Sequence, residues 1–211
     1  LDTGMTLAAQ AKRDGVQALG VGEMGIGNTT TSAAVLMALT GCAVEDAVGR
    51  GGGVTEEAFT RKRAVVAGAL ARLHPDAGDA VDVLAKVGGF DLAAMAGVFL
   101  GAAESRLPVV IDGFISVTAA LCAVRLCPAA RDFLFASHGS FERGYAVAAQ
   151  ALSLTPALTL DMRLGEGSGC PLGFRVLEAA CAAMNGMATF EGARIDDGYL
   201  APIRAKDCFT V

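Results

Sequence analysis

Short apolar runs that end at glycine-rich or polar loops, each followed by a helical pattern, constrain the fold of this chain most strongly. Such runs are typical of buried β-strands, because they are short, bounded by turn residues and almost continuously apolar. The predicted strands are Gln17–Val21, Pro108–Ile111, Asp132–Phe135 and, more weakly, Ala157–Leu160. Helical patterns cover Thr6–Arg13, Thr29–Leu39, Glu56–Leu73, Asp79–Val87, Leu92–Ala103, Ser116–Arg125, Phe141–Leu152 and Leu172–Met184.

This alternation predicts an α/β fold with three layers, in which a mostly parallel, Rossmann-like sheet carries helices on both faces. Two helix starts carry their own signals. Thr55 is expected to cap the helix that begins at Glu56, and Asp91 is expected to cap the helix that follows Gly88 and Gly89. In an open parallel sheet, ligands bind beyond the carboxyl ends of the strands. The loops after the predicted strands are therefore the candidates for a functional site.

Composition excludes several classes of protein. The net charge is −5 and there is no basic stripe, so nucleic acid is not an expected partner. Hydrophobic residues make up 53% of the chain, yet no apolar run approaches the roughly 18–20 residues of a spanning helix, so no membrane span is expected. A metal site is not expected, because there is no CxxC pair and His74 lies far from His138. The cysteines are expected to be reduced, mostly buried thiols of a cytoplasmic protein; they are Cys42, Cys122, Cys127, Cys170, Cys181 and Cys208.

The segment Gly22–Thr31 lies between the first predicted strand and a helix. Glycines in such a turn let backbone N–H groups converge on an anion, and the helix dipole adds positive potential at the same place. Glu23 is unusual there, because a carboxylate beside a bound phosphate is repelled unless it has another task. The segment therefore indicates chemistry on a phosphorylated substrate.

Two other interpretations of this segment stay open. Gly20–Gly25 matches the GxGxxG pattern of dinucleotide-binding folds, which needs a second strand ending in an acid about 20 residues later. Glu45 and Asp46 stand at that distance, but residues 41–53 carry no strand pattern, and Glu23 would lie close to the pyrophosphate. The glycines would otherwise form a purely structural turn.

A second glycine cluster, Gly49–Gly53, precedes the helix that begins at Glu56. It is either a flexible linker or a loop that closes over the same phosphate. Lys62 lies two turns into that helix. It is either an exposed helix lysine or the point charge of the phosphate site.

The loops after the later strands carry polar residues of several kinds. Asp112 and Gly113 follow a buried strand, where a carboxylate is able to accept sugar hydroxyls. The Ser137–Ser140 segment resembles a hydrolase site, but Ser137 and His138 are too close in sequence for a catalytic triad, and no orienting acid is evident. The serines are better explained as hydrogen-bond donors or helix caps, with His138 as general base left as an alternative.

Glu166 stands alone among the small residues of Leu164–Gly169. One interpretation is a solvated loop acid. In the other, the flanking glycines let a planar ligand approach, and Glu166 acts on it as a general base.

Taken in order, these motifs resemble those of the nicotinate-nucleotide–dimethylbenzimidazole phosphoribosyltransferases of cobamide (vitamin B12) biosynthesis. The resemblance runs from Leu1 to about Met184, and its first and last motifs are long and specific. The motifs are Gly22–Thr30, Gly49–Gly51, Asp112–Phe114, Ser137–Ser140 and Arg163–Gly169.

The resemblance implies transfer of phosphoribose from nicotinate mononucleotide to 5,6-dimethylbenzimidazole, giving α-ribazole 5′-phosphate and nicotinate. It implies a homodimer that uses neither a metal nor another cofactor. By the same resemblance, Glu166 is the base that deprotonates the benzimidazole, and Glu23 assists near the ribose or the base. The implied substrate-binding residues are Gly25, Gly27, Asn28, Thr29, Thr30, Gly51 and Lys62 around the phosphate, with Asp112, Gly113, Ser137, Leu164 and Gly165 in the rest of the pocket.

Members of that family have longer chains, with an N-terminal segment that completes a small domain and part of the benzimidazole pocket. Residues 1–185 are accordingly expected to be the nucleotide-binding α/β core, and residues 186–211 to contribute to a small helical subdomain that is incomplete here. Gly52 departs from the family, which commonly has a bulkier residue in that loop. The alternative functions are a non-catalytic or degenerate mononucleotide-binding homologue and, more distantly, a dinucleotide-dependent oxidoreductase.

Overall fold

Three parallel strands form the sheet, in a computed structural model that describes residues 1–205. Strands β1 (Leu19–Val21), β2 (Val109–Ile111) and β3 (Leu134–Ala136) lie side by side in chain order. Leu19 pairs with Val109, which in turn pairs with Leu134. All three residues of the central strand β2 are buried. The prediction of an α/β fold with a parallel sheet between helices is confirmed.

Helices account for most of the described chain. The α-helices are α1 (Asp2–Arg13), α2 (Asn28–Thr40), α3 (Val44–Ala47), α4 (Glu56–Leu73), α5 (Ala80–Val87), α6 (Phe90–Glu104), α7 (Phe114–Leu126), α8 (Arg143–Ala151), α9 (Cys170–Gly186) and α10 (Ala201–Arg204). Two 3₁₀ turns cover Pro128–Phe133 and Gly198–Leu200.

Small residues let the helices pack closely. A Cβ added at Gly4 in α1 would lie 1.9 Å from the carbonyl oxygen of Ala94 in α6. A Cβ added at Gly97 in α6 would lie 2.0 Å from the carbonyl oxygen of Leu1. The two helices therefore approach at backbone distance, which any larger side chain at Gly4 or Gly97 would prevent. Helix α7 buries ten consecutive residues, from Phe114 to Ala123.

All four predicted strands differ from the structure in their bounds. β1 begins at Leu19 instead of Gln17, and β2 begins at Val109 instead of Pro108. Asp132 and Phe133 belong to the 3₁₀ turn, so β3 begins at Leu134. The run Ala157–Leu160 is not a strand, because only Leu158 forms a bridge, which pairs it with His138. The chain then turns at Asp161, where φ is +50°, and pairing ends.

One of the two predicted helix caps is confirmed. The Thr55 hydroxyl accepts the N–H of Ala58 at 3.3 Å and caps α4. The prediction for Asp91 is wrong, since Gly89 is the N-cap of α6. The Asp91 carboxylate instead accepts the side-chain amide of Asn28 at 2.8 Å, a partner 63 residues away in sequence.

The chain divides into two compact units, Leu1–Arg175 and Val176 onward. The first holds the sheet and the helices up to the start of α9. The second contains the rest of α9, the Gly198–Leu200 turn and α10. This division falls before the predicted boundary at residue 185. Residues 206–211, which include Cys208, lie outside the described residues.

The prediction of buried thiols holds for only part of the cysteine set. Cys122 and Cys170 are buried, and burial raises the pKa of each thiol to about 12. Cys127 and Cys181 are exposed, so the prediction is wrong for them. Cys127 is the C-cap of α7, where the chain leaves the core.

Among residues 1–205, no helix combines the length and the apolar character needed to cross a membrane.

Candidate active site

A cleft of about 510 Å³ opens at the carboxyl ends of the three strands. Every loop that follows a strand contributes to its wall, as expected for a parallel sheet. The lining residues are 23–26 and Thr29, 50–53, 112–116, His138 with 140–142, and 162–165. The structure thus brings the five predicted motif segments together around one cavity in the first unit.

A lysine side chain, that of Lys62, lies beside one end of the cleft. The Lys62 ammonium of α4 donates to the Thr29 hydroxyl at 2.9 Å and to the Gly49 carbonyl at 3.0 Å. It thereby joins the N-terminus of α2 to the second glycine loop. Burial lowers the pKa of Lys62, and the nearby negative charge of Glu142 partly opposes that shift. Gly51, in the same glycine loop, has a backbone φ of +60°, in the left-handed region that favours glycine.

The residues predicted around the phosphate fall into two layers. Gly25, Thr29 and Gly51 line the cleft. Gly27, Asn28, Thr30 and Lys62 are not among its described lining residues and lie behind that wall or beside it. Gly27 is the left-handed N-cap of α2, and Asn28 begins the helix.

Glu23 and Glu166 belong to loops that are joined through their backbones. The Glu23 carboxylate accepts the N–H of Gly25, and the Glu23 carbonyl accepts the N–H of Glu166 at 2.9 Å. Glu23 lines the cleft. Glu166 is exposed at the rim, beside the lining residues Leu164 and Gly165, and is not itself among the described lining residues. The geometry therefore puts the two predicted catalytic acids on adjoining loops.

Asp112 lies beneath these loops with 1% of its surface exposed. Its Oδ2 accepts the N–H of Gly167 at 3.0 Å, and its Oδ1 accepts the N–H of Gly169 at 2.7 Å. His138 Nδ1 stands 3.9 Å from Oδ1. Each carboxylate oxygen thus already accepts a backbone hydrogen bond. Gly113 lines the cleft next to it, and its N–H donates to the Ser116 hydroxyl at 3.0 Å.

Ser137 faces the sheet. Its hydroxyl donates to the carbonyl of Ile111 at 2.7 Å and lies 3.0 Å from Nδ1 of His138. Both residues are buried, and among the described lining residues only His138 of the two reaches the cleft. The Ser137 hydroxyl is therefore not presented as a nucleophile, which disfavours the hydrolase interpretation.

Glycines of the apparent dinucleotide motif serve packing. A Cβ at Gly20 would lie 2.7 Å from the Cβ of Cys170. A Cβ at Gly22 would lie 2.2 Å from the backbone nitrogen of Gly167. Both positions let the segment that carries Glu166 cross directly over β1 and its loop, so they do not require a pyrophosphate.

Three side chains of the cleft had not been singled out from the sequence. The Arg163 guanidinium stacks on the Phe141 ring at 3.7 Å, which ties the Glu166 loop to the segment before α8. The Glu142 carboxylate lies against Gly49, and its Oε2 is buried without a hydrogen-bond partner among the described residues. Arg163 is the first residue of the motif Arg163–Gly169, and Phe141 directly follows the motif Ser137–Ser140, which is the sequence signal that pointed to them.

Within residues 1–205, no cluster of three histidine, cysteine or acidic side chains is arranged to hold a metal ion.

Comparison with known proteins gives consistent results. The family model described as "Phosphoribosyltransferase" matches residues 1–195. The chain is 52% identical over 211 residues to a nicotinate-nucleotide–dimethylbenzimidazole phosphoribosyltransferase of Clostridium perfringens, covering 100% of this chain and 58% of that protein. It is 49% identical over 196 residues to the protein of the same name from Acetivibrio thermocellus, covering 93% of this chain and 56% of that one.

Solved structures agree with these relatives. The crystal structure of CobT from Thermus thermophilus superposes with a TM-score of 0.86 at 48% identity, over 92% of this chain and 58% of that chain. A second structure from the same organism, named for the same phosphoribosyltransferase, gives a TM-score of 0.83 at 46% identity, over 92% of this chain and 57% of that one. The chain therefore spans less than two thirds of the length of the relatives that it matches.

Proposed function

This chain belongs to the phosphoribosyltransferase family that matches its residues 1–195, and on that premise we propose that the protein containing it transfers phosphoribose from nicotinate mononucleotide to 5,6-dimethylbenzimidazole. The products are α-ribazole 5′-phosphate and nicotinate, in cobamide biosynthesis. The observation that carries the proposal is a single cleft with Lys62 bonded to the lining residue Thr29 at one end and two adjoining loops that carry acids, those of Glu23 and Glu166.

The nucleotide is proposed to bind with its phosphate at the N-terminus of α2. The backbone N–H of Gly51 and the Thr29 hydroxyl supply hydrogen bonds there, and the helix dipole favours the negative charge. Gly25 lines the wall beside them, with its own N–H bonded to the Glu23 carboxylate. Lys62 acts on the phosphate through its charge and by orienting the Thr29 hydroxyl. Gly27, Asn28 and Thr30 shape the first turn behind that surface.

The ribose is proposed to lie between this end of the cleft and Glu23. Gly113 lines the wall next to it, while Ser137 supports that wall from the sheet side through its bond to Ile111. The benzimidazole is proposed to bind beside Leu164 and Gly165, where an apolar side chain and an uncovered backbone suit a planar aromatic ring.

The proposed reaction is one displacement at C1′ of the ribose. Glu166 takes the N–H proton of the benzimidazole as the other ring nitrogen attacks C1′. The bond from C1′ to the pyridinium nitrogen breaks, and its electron pair neutralises the nicotinate ring. Attack from the face opposite the leaving group inverts the anomeric carbon and gives the α-linkage. The cationic pyridinium is already a good leaving group, so this step calls for no metal.

Glu166→Gln tests the proposed base. We expect the complete gene product that contains these residues to form α-ribazole phosphate from the two substrates, and the variant to lose most of its kcat, by a factor of about 10² to 10⁴. Glu104→Gln is the matched control, because Glu104 is exposed at the end of α6, before the amino end of β2. Product is quantified by chromatography and mass spectrometry. An active Glu166→Gln enzyme contradicts the assignment of the base.

The rival function is a mononucleotide-binding homologue without catalysis. It predicts that calorimetry detects binding of nicotinate mononucleotide to the same gene product while no transfer to dimethylbenzimidazole is measured. Transfer by the wild-type protein excludes it.

We also propose a homodimer in the cytoplasm, as the family resemblance implies. Large apolar side chains are exposed in the first unit, among them Phe90 at 97% and Ile26 at 81%, and a second copy would cover such surface. Sedimentation at micromolar concentration tests this, and a monomer would contradict the dimer.

A further inference from the structure

Asp112 stands where three backbone segments of the cleft meet. It follows β2 directly, and its own N–H donates to the carbonyl of Val21, at the end of β1, at 3.1 Å. The hydroxyl of Ser137, at the end of β3, lies 3.4 Å from the Asp112 carbonyl. The position of Asp112 is therefore fixed by both neighbouring strands of the sheet.

The Asp112 side chain extends this rigid position to the loop that carries Glu166. Its two oxygens accept the N–H groups of Gly167 at 3.0 Å and Gly169 at 2.7 Å. Hydrogen bonds to an ionised acceptor are stronger than those between neutral groups. With 1% exposure, this carboxylate has almost no competing contact with solvent.

The loop needs such an anchor because of its backbone conformation. Gly165, Glu166 and Gly167 all lie in the left-handed region, with φ of +73°, +57° and +78°. A residue with a side chain seldom adopts this conformation without support from its surroundings. The two anchoring bonds are made by Gly167, which directly follows Glu166, and by Gly169.

The loop that carries Glu166 also helps to fix the position of Glu23. The N–H of Glu166 donates to the Glu23 carbonyl at 2.9 Å, and Gly22 packs so closely on Gly167 that a Cβ would lie 2.2 Å from its nitrogen. A displacement of Gly167 would therefore move both the loop of Glu23 and the loop of Glu166.

We propose that Asp112 is a positioning residue, which fixes the Glu166 loop through Gly167 and Gly169, and that it is not the acceptor of the sugar hydroxyls. The inference rests on the proposed function for the role of Glu166 as the base. The alternative, a sugar contact, was suggested by the place of Asp112 after a strand and in the wall of the cleft. Its almost complete burial and the use of both oxygens by backbone donors favour the positioning role.

Asp112→Asn tests the contact with the loop without any need for catalysis. An asparagine has one acceptor oxygen, so its NH₂ group must face one of the two backbone donors. We expect amide hydrogen exchange in the peptide spanning residues 165–170 to become at least about tenfold faster, because local opening becomes easier. Asp112→Glu keeps the charge but lengthens the side chain, and it is expected to loosen the same peptide. Thermal melts verify that each variant is folded.

Thr118→Val is the control for these exchange measurements. Thr118 is also a buried polar residue, but the hydrogen bond of its hydroxyl among residues 1–205 lies within α7, to the Phe114 carbonyl at 2.9 Å. We expect wild-type exchange in the 165–170 peptide and wild-type kinetics. If neither Asp112 variant accelerates exchange there, the positioning role is overturned.

Steady-state kinetics of the complete gene product separates positioning from sugar binding. Positioning predicts that Asp112→Asn lowers kcat by about 10²-fold, because a misplaced base loses the aligned geometry of the reaction. The KM for nicotinate mononucleotide is expected to change by less than about threefold. A sugar contact predicts a higher KM with kcat retained, together with weaker discrimination against the 2′-deoxy nucleotide. That second pattern would overturn the proposal.

The exchange and kinetic experiments together also distinguish a failure of this inference from a failure of the proposed function. If the wild-type protein transfers no phosphoribose, the proposed function fails, and the exchange data still decide whether Asp112 holds the loop.

Discussion

At the scale of the residue, Lys62 is a half-buried cation beside the cleft, which Arg50 and Arg163 line directly. Burial is the larger influence and lowers its pKa from the ordinary value of 10.5, whereas the negative charge of Glu142 raises it. The cationic form predominates below the pKa, so the Lys62 side chain loses its charge as the pH rises. This loss occurs at a lower pH than for an exposed lysine.

This balance gives a prediction for Glu142→Gln. Removal of the opposing negative charge lowers the pKa of Lys62 further, so the alkaline rise in the KM for nicotinate mononucleotide is expected to begin at a lower pH than in the wild type. KM is measured between about pH 7 and 10. Glu45→Gln is the control, since Glu45 is an exposed residue of α3 outside the described lining of the cleft. An identical KM profile for wild type and Glu142→Gln would contradict the coupling.

At the scale of the element, the close crossing of the Glu166 loop over the end of β1 is the least tolerant contact of the site. A Cβ at Gly22 would meet the nitrogen and Cα of Gly167 at 2.2 and 2.3 Å. Both neighbours are backbone atoms, so the two loops must separate to admit a methyl group. The consequence is a loss of the shared geometry of Glu23 and Glu166.

Gly22→Ala is therefore expected to reduce kcat by about 10²-fold and to destabilise the fold by about 1–3 kcal/mol, as overpacking does. Gly68→Ala is the matched substitution. Gly68 lies within α4 with nothing within 4 Å of an added Cβ, and alanine there is expected to stabilise the protein by about 0.5–1 kcal/mol. Thermal or denaturant unfolding measures both changes in stability, the loss expected for Gly22→Ala and the gain expected for Gly68→Ala. A destabilised Gly68→Ala or a fully active Gly22→Ala would contradict this account.

Elements were predicted better than the contacts between them. The strand–loop–helix order and the Thr55 cap follow from local patterns, because periodicity and capping act within a few residues. The cap prediction for Asp91 is wrong because the partner of its carboxylate, Asn28, is 63 residues away in sequence. The bonds of Asp112 to Gly167 and Gly169 span 55 and 57 residues, so no local pattern encodes them. The predicted acids and glycines lie on the loops around the cleft or beside it, and their roles there stay predictions. The sequence did not indicate which of these residues hold the others in place.

At the scale of the whole molecule, the thiols report on opening of the core. Cys122 lies 0% exposed in α7, and burial raises the pKa of its thiol to about 12. Cys127 and Cys181 are exposed. Reaction with a thiol reagent depends on access and on the thiolate.

We therefore expect an excess of thiol reagent to modify Cys127 and Cys181 rapidly in the native protein, and Cys122 only when the fold opens. Mass spectrometry of digested samples assigns each site over time. Mild denaturant is expected to accelerate the modification of Cys122 but not that of the two exposed thiols. Rapid native modification of Cys122 would contradict the packing of α7.

The three left-handed residues 165–167 have one more consequence, for how this protein tolerates mutation. Surface loops ordinarily accept many substitutions, whereas buried positions accept few. Gly165 and Gly167 are partly open to solvent, but each has a positive φ, which disfavours most residues that have a Cβ. Mutational scanning that reads out folding should therefore find two positions on this rim that accept few substitutions although they are not buried.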